Sequence, residues 1–308
     1  MVGVLTGFAI IGAIVAVGWL TGRLGVLGPD AATVLGRAAF FVFTPALLFT
    51  VLADADVEQL FSRLLIVSAA AAAICLLGFA LVARLVWRRG AAESTIGALA
   101  SSYTNANNIG LPLAAYVLGD PSLSAPVILL QLIVIAPIAL TILDVSTSGR
   151  VSVGRILTQP VRNPLIIGSA LGLLLAVTDV ELPGPVMEPF RLLGGAAVPV
   201  VLFVLGLSLT GERILAAGTG RRDVLLATTL KIVVMPIAAW LIGAFVLRLD
   251  GADLFTVVTL AALPAGQNVF QYAQRFDRAT VVARDAVLIT TALSVPALVV
   301  VAALLAPR

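Results

Sequence analysis

Residues 104–112 read TNANNIGLP and residues 262–271 read ALPAGQNVFQ. Both stretches set carboxamides beside glycine and proline inside sequence that is otherwise almost continuously apolar. A carboxamide offers two N–H donors and a carbonyl acceptor, so a cluster of them can hold an anion such as a carboxylate or patch a broken backbone. Gly110, Pro112, Pro264 and Gly266 explain why the backbone breaks: glycine weakens a helix, and proline removes a donor and clashes with the preceding turn. The candidate ligands are Asn105, Asn107, Asn108, Gln267 and Asn268. Lys231 is a sixth candidate, a lone ammonium in an apolar run, able to attract an anion or to stand where a coupling cation would sit. The competing reading of the amides is that they only tie helix ends together. For Lys231 it is that the long stem carries the charge back to the interface.

The surrounding sequence needs lipid as its solvent. Of 308 residues 60% are hydrophobic and 11% charged, with a mean hydropathy of +1.13, whereas a soluble domain carries about 25% charged residues. Apolar runs long enough to cross a ~30 Å hydrocarbon core recur along the chain. We expect an all-α membrane protein of ten spans, near 3–22, 33–52, 62–86, 94–118, 124–145, 163–179, 189–210, 223–247, 253–275 and 280–305. The first run lacks a basic leader and reads as a span rather than a cleaved signal. One cysteine, Cys75, excludes an intramolecular disulfide, the lack of histidine argues against haem ligation and most zinc sites, and no cofactor or metal is expected. The basic residues form no stripe suited to nucleic acid.

They cluster instead in alternate loops: Arg23; Arg84, Arg88 and Arg89; Arg150, Arg155 and Arg162; Arg213, Arg221 and Arg222; Arg275, Arg278 and Arg284. The other loops are acidic, with Asp54, Asp56 and Glu58; Asp120; Asp179, Glu181 and Glu188; Asp250 and Asp253. The positive-inside rule then puts the odd-numbered loops in the cytoplasm and both termini outside.

The halves also resemble each other. Gly28-Pro29 recurs as Gly184-Pro185, Arg37, Pro45, Leu48 and Phe49 match Arg191, Pro199, Leu202 and Phe203, Asn108 pairs with Asn268, and Pro137 with Pro296, at offsets of 154 to 160. Five spans per repeat invert the second repeat in the membrane. The expected units are 1–146, a short cytoplasmic linker over 147–162, and 163–308. Inverted repeats with broken helices near the midplane are typical of secondary transporters. Asn105 lies ~16 Å into its span at 1.5 Å per residue. Lys231 lies ~12 Å into its own by the same rise. Half-helix N-termini at that depth favour an anion, and C-termini a cation. Pro112 reads as a first-turn residue of the outer half-helix. Arg37 and Arg191 read as structural, Asp285 as a partner of its neighbour Arg284, and Gln131 as a weak lining residue.

The stretches NIGLPLAAYVLGD, ALPAGQNVFQYAQRF and VLITTALSVPALVV resemble the auxin efflux carrier family, which includes plant PIN proteins and bacterial permeases of malonate and other organic acids. The resemblance covers the whole chain. It implies a PIN-like fold, close to that of bile-acid symporters, in which spans one, two, six and seven form a scaffold and spans three to five and eight to ten a transport domain. The fourth and ninth spans cross, and the transport domain moves as an elevator. The family's crossover asparagine falls on Asn105, its ninth-span proline on Pro264, and the bacterial motif asparagine on Asn268. Unlike many plant members, this chain has no long hydrophilic loop between its halves. The expected partners are a small organic anion and the bilayer of the cell (inner) membrane, with room for a homodimer through the scaffold. A sodium-coupled bile-acid-like symporter is the rival carrier, and a non-transporting receptor or assembly protein the rival class. An enzyme would need a catalytic constellation at depth, and none is visible.

Overall fold

The computed structural model describes residues 2–54, 63–148, 163–208 and 220–307. Most of the linker expected over 147–162, with Arg150, Arg155 and Arg162, lies outside them, as do Asp56, Glu58 and Arg213. The described residues are helical with no strand. In chain order the helices are α1 Val2–Leu24, α2 Ala31–Ala53 and α3 Arg63–Val86, α4 Ala91–Ser102 and α5 over 106–118. Next come α6 Pro121–Thr147, α7 Pro164–Thr178, α8 Gly184–Ser208 and α9 Arg221–Val246. The last three are α10 Gly251–Ala261, α11 Gln267–Phe276 and α12 Thr280–Leu305.

Six of these, α2, α3, α6, α8, α9 and α12, are long and apolar enough to cross a membrane. The stretches expected as spans 94–118 and 253–275 are each split in two, into α4/α5 and α10/α11. Their breaks fall on the two amide-rich motifs.

Helices α1, α2, α7 and α8 pack on one another: α1 along α8, and both α7 and α8 on α2. Small residues allow the close approach, since a side chain at Gly18 would strike the Phe203 carbonyl and one at Gly206 the Val15 carbonyl. Where lipid replaces water, such backbone-to-backbone packing is a main source of helix association. A second set of contacts joins α3 to α4, α9 and α10, and α12 to α9, α10 and α11. There the Arg89 guanidinium donates to both carboxylate oxygens of Asp223, at 3.3 and 2.6 Å. That fork ties the end of α3 to the start of α9.

Proline accounts for four of the irregular stretches inside the helices. Wider π-type turns occupy Ala39–Phe43, Ala106–Gly110, Gln131–Ile135 and Leu230–Val234. Each ends two residues before a proline: Pro45, Pro112, Pro137 and Pro236. A proline ring cannot donate to, and crowds, the carbonyl four residues back, so the ladder resets through one wider turn. The ends of α3 and α9 match in detail. Val82–Val86 and Ile242–Val246 are both π-turns, and Arg88 and Arg248 share a φ of 53°.

Candidate functional site

The two breaks meet. The Asn105 amide donates to the Pro264 carbonyl at 2.9 Å and the Gly266 amide to the Tyr103 carbonyl at 2.8 Å, making an antiparallel bridge between Thr104 and Ala265. The pairing relates residue 104 to 265, one position from the offset of 160 in the sequence. Extended backbone here would leave donors unsatisfied in an apolar interior, and the crossing satisfies them reciprocally. Thr290 of α12 completes the set by accepting the Ala265 amide at 3.1 Å.

Each break ends in a helix N-terminus. Asn105 caps α5, its Oδ1 accepting the Asn108 amide at 3.2 Å, and Gly266 occupies the cap position of α11. The outer half-helix therefore begins at residue 106 rather than at Pro112. Capping by Asn105 satisfies the first-turn amides six residues earlier than the proline would suggest, and Pro112 lies in the second turn.

The amides assemble as a chain. Asn107 Nδ2 donates to Asn108 Oδ1 at 3.0 Å, and Asn108 Nδ2 donates to Gln267 Oε1 at 3.2 Å. The second of these joins the two half-helices through their side chains. Asn105 is 4% exposed, and its Nδ2 donor has no partner; Asn107 Oδ1 and Gln131 Oε1 are also buried without one. These groups face a cavity of about 30 Å³ lined by Asn105, Asn107, Asn108, Gln131, Gln267 and Asn268 among others. The same Asn107, Asn108, Gln267 and Asn268 line a cavity of about 780 Å³ between α2 and α8 on one wall and α5, α11 and α12 on the other. All five candidate amides thus gather at the crossing. Gly110 packs beneath it, within 3.0 Å of Leu263 Cδ1 if given a side chain.

Lys231 does not join them, and it does not reach the interface. Its side chain is 0% exposed. Nζ donates to the carbonyl of Ala261 at 2.9 Å and to Met235 Sδ at 3.2 Å. Ala261 is the last residue of α10, so the ammonium caps the C-terminus of a half-helix, where unpaired carbonyls and the dipole favour a cation. Asp285 pairs with Arg284 at 2.9 Å, as its position suggested. Arg191 comes within 3.9 Å of Asp54 at the surface.

Sequence reasoning missed four residues of the large cavity. Gln271 and Gln274 continue the face begun by Gln267 along α11, at helical spacing that was readable. Arg37 and Arg284 also line it. The nearness of Arg37 to a span end reads as a structural role, and its place in the cavity lining shows only in the packing.

A family model described as "Membrane transport protein" matches residues 4–152 and 147–302. A "Putative malonate transporter" of Rhizobium meliloti (strain 1021) is 26% identical over 290 residues, covering 92% of this chain and 89% of that protein. The "Uncharacterized transporter YfdV" of Escherichia coli (strain K12) is 25% identical over 273 residues, covering 86% and 85%. An "Uncharacterized transporter" of Methanothermobacter thermautotrophicus is 27% identical over 258 residues, covering 82% of each chain.

Proposed function

Because the chain belongs to the auxin efflux carrier family of membrane transport proteins, we propose that it is a secondary carrier of a small organic anion, bound at the helix crossing. Family membership indicates a transporter rather than an enzyme. One observation carries the substrate class: two half-helix N-termini and five carboxamides converge at the crossing, where Asn107, Asn108, Gln267 and Asn268 line the large cavity and the buried Asn105 Nδ2 donor, in the small cavity beside it, is unpaired. Backbone amides and dipole ends favour negative charge there, and neutral carboxamides add donors without binding so tightly that release is prevented. The name of the Rhizobium relative is consistent with a carboxylate.

The ten spans act as two inverted repeats of five, with α4/α5 and α10/α11 as equivalent broken spans. The matching ends of α3 and α9 and the reciprocal bridge support this arrangement. Helices α1, α2, α7 and α8 form the scaffold, and the remaining helices the transport domain, which moves past it as an elevator. The glycine-mediated packing of the first group supports a rigid frame. In the sodium-coupled reading a cation would bind at a half-helix C-terminus; the Lys231 ammonium on Ala261 favours a carrier that needs no sodium there.

The test is a ligand screen by thermal shift on purified protein. Dicarboxylates, monocarboxylates and indole acids are compared with and without sodium, since a ligand of the folded state raises the melting temperature by mass action. A carboxylate should stabilise the protein without sodium. Stabilisation by none of them would overturn the anion reading.

The protein sits in the cell membrane with both termini outside, on the arginine bias of alternate loops. The large cavity then faces the cytoplasm, because α2 and α12 begin, and α11 ends, on that side. Single cysteines at Ser122 and Ser148 in a Cys75→Ala background should label differently with an impermeant thiol reagent in intact cells. Ser122→Cys is expected to react and Ser148→Cys to be protected; the reverse pattern inverts the sidedness of the cavity.

A further inference from the structure

The large cavity has two chemically different kinds of polar lining. At the crossing it is lined by neutral amides and helix N-termini, while Arg37 on α2 and Arg284 on α12 supply guanidinium groups. No aspartate or glutamate is among the described residues that line it. The two arginines are not equivalent. Arg284 donates from Nε to Asp285 Oδ1 at 2.9 Å, and Asp285 is only 1% exposed, so that charge is balanced from behind the cavity wall. Arg37 is exposed and makes no ion pair among the described residues. Among the described residues the lining therefore carries one guanidinium without an ion-pair partner, on α2, across the cavity from the helices that carry the amides.

A monoanion seated at the crossing leaves that charge unused. We propose that Arg37 is a specificity-determining residue: it takes the second negative charge of a small dianion whose first carboxylate lies on the amides. The inference rests on the carboxylate reading given above and adds to it the residue that counts charges. Guanidinium suits the task, since it stays charged and meets a carboxylate with a two-pronged fork. A cleft with low-dielectric walls also strengthens the attraction over its value in bulk water. Because Arg37 lies on α2 and the amides on α5 and α11, a dianion held by both would span the two walls of the cavity.

The test pairs a change in the ligand with a change in the protein. Malonate is compared with malonamate, in which one carboxylate becomes an amide of nearly the same shape, on purified wild type, R37Q and R37K. Wild type should bind malonate on the order of tenfold more tightly than malonamate. In R37Q that gap should close to about twofold, almost wholly by loss of malonate affinity, as a coupling between two contacting groups requires. R37K should keep part of the gap, having the charge without the fork. Malonate binding should also weaken more steeply with salt in wild type than in R37Q. Equal affinity of wild type for the two ligands, or an unchanged gap in R37Q, would overturn the assignment of Arg37 and leave the carboxylate site standing. Wild type that binds neither ligand, nor any other carboxylate, would overturn the site itself and this inference with it. The ligand comparison on wild type needs no variant, so a poorly folding R37Q would not rescue the proposal.

Discussion

Asn105→Ser should bind a carboxylate substrate on the order of tenfold more weakly than wild type while folding normally. The expectation follows from the two separate tasks of one side chain. Oδ1 caps α5 by accepting the Asn108 amide, and Nδ2 is a buried donor without a partner. Serine is about as good a cap as asparagine, so it keeps the first task and removes the second. A hydrogen bond to a charged group is worth about 1.5–3 kcal/mol. Asn105→Ala should lose the same affinity and in addition about 1 kcal/mol of stability, because the cap goes too. Asn268→Ala approaches the cavity from α11 and should weaken binding to a similar extent. Affinity by calorimetry and melting temperature, measured on the same preparations, separate the two tasks. Wild-type affinity in Asn105→Ser would mean that the amide patches the backbone and the anion binds elsewhere. Lower stability with intact binding in Asn105→Ala alone would point the same way.

The breaks themselves were legible, because carboxamides, glycine and proline in the middle of an apolar span have few structural solutions. Their meeting was expected from the family resemblance, but the pairing of Thr104 with Ala265 was not readable. The repeat was aligned on side chains such as Asn108 and Asn268, whereas the crossing is paired by backbone groups that carry no sequence signature. The start of α5 differs from the expected one for a related reason. Proline marks where a helix tolerates a missing donor, but Asn105 supplies the cap, and either residue could have begun the helix. Depth was readable from position along a span, which singled out Lys231. Facing was not: Arg37, near a span end, reads as structural from depth alone although it lines the cavity. A helix hydrophobic on most sides gives no period from which to tell a wall that meets lipid from one that lines a cavity. The partner of Lys231 lies thirty residues away on another helix, and only the packing of α9 against α10 brings them together.

Lys231→Met should fold, bind substrate within about threefold of wild type, and lose transport by an order of magnitude or more. Folding is expected because the two costs oppose each other. Removing the ammonium orphans the Ala261 carbonyl, at about 1–3 kcal/mol, but it also relieves the burial of a charge whose described partners, a carbonyl and a thioether, are both uncharged. Methionine retains most of the stem volume. Binding is expected to survive because Nζ caps the C-terminal end of α10 and does not line the amide-bearing cavity. Transport is expected to fail because α10 leads directly into the 262–266 break, and the charge on its last carbonyl fixes where that half-helix ends. If a cation at that end is what the cycle requires, sodium at high concentration should restore part of the flux in Lys231→Met and leave wild type unchanged. Lys231→Arg keeps the charge, but a planar fork must enter a space that is 0% exposed and shaped around an ammonium, so reduced flux is expected there as well. Flux and affinity measured on one reconstituted preparation, with sodium or potassium, decide among the roles. Loss of binding together with flux would make Lys231 a direct attraction for the anion. Wild-type flux in Lys231→Met would remove it from the mechanism, leaving a buried charge that serves packing alone.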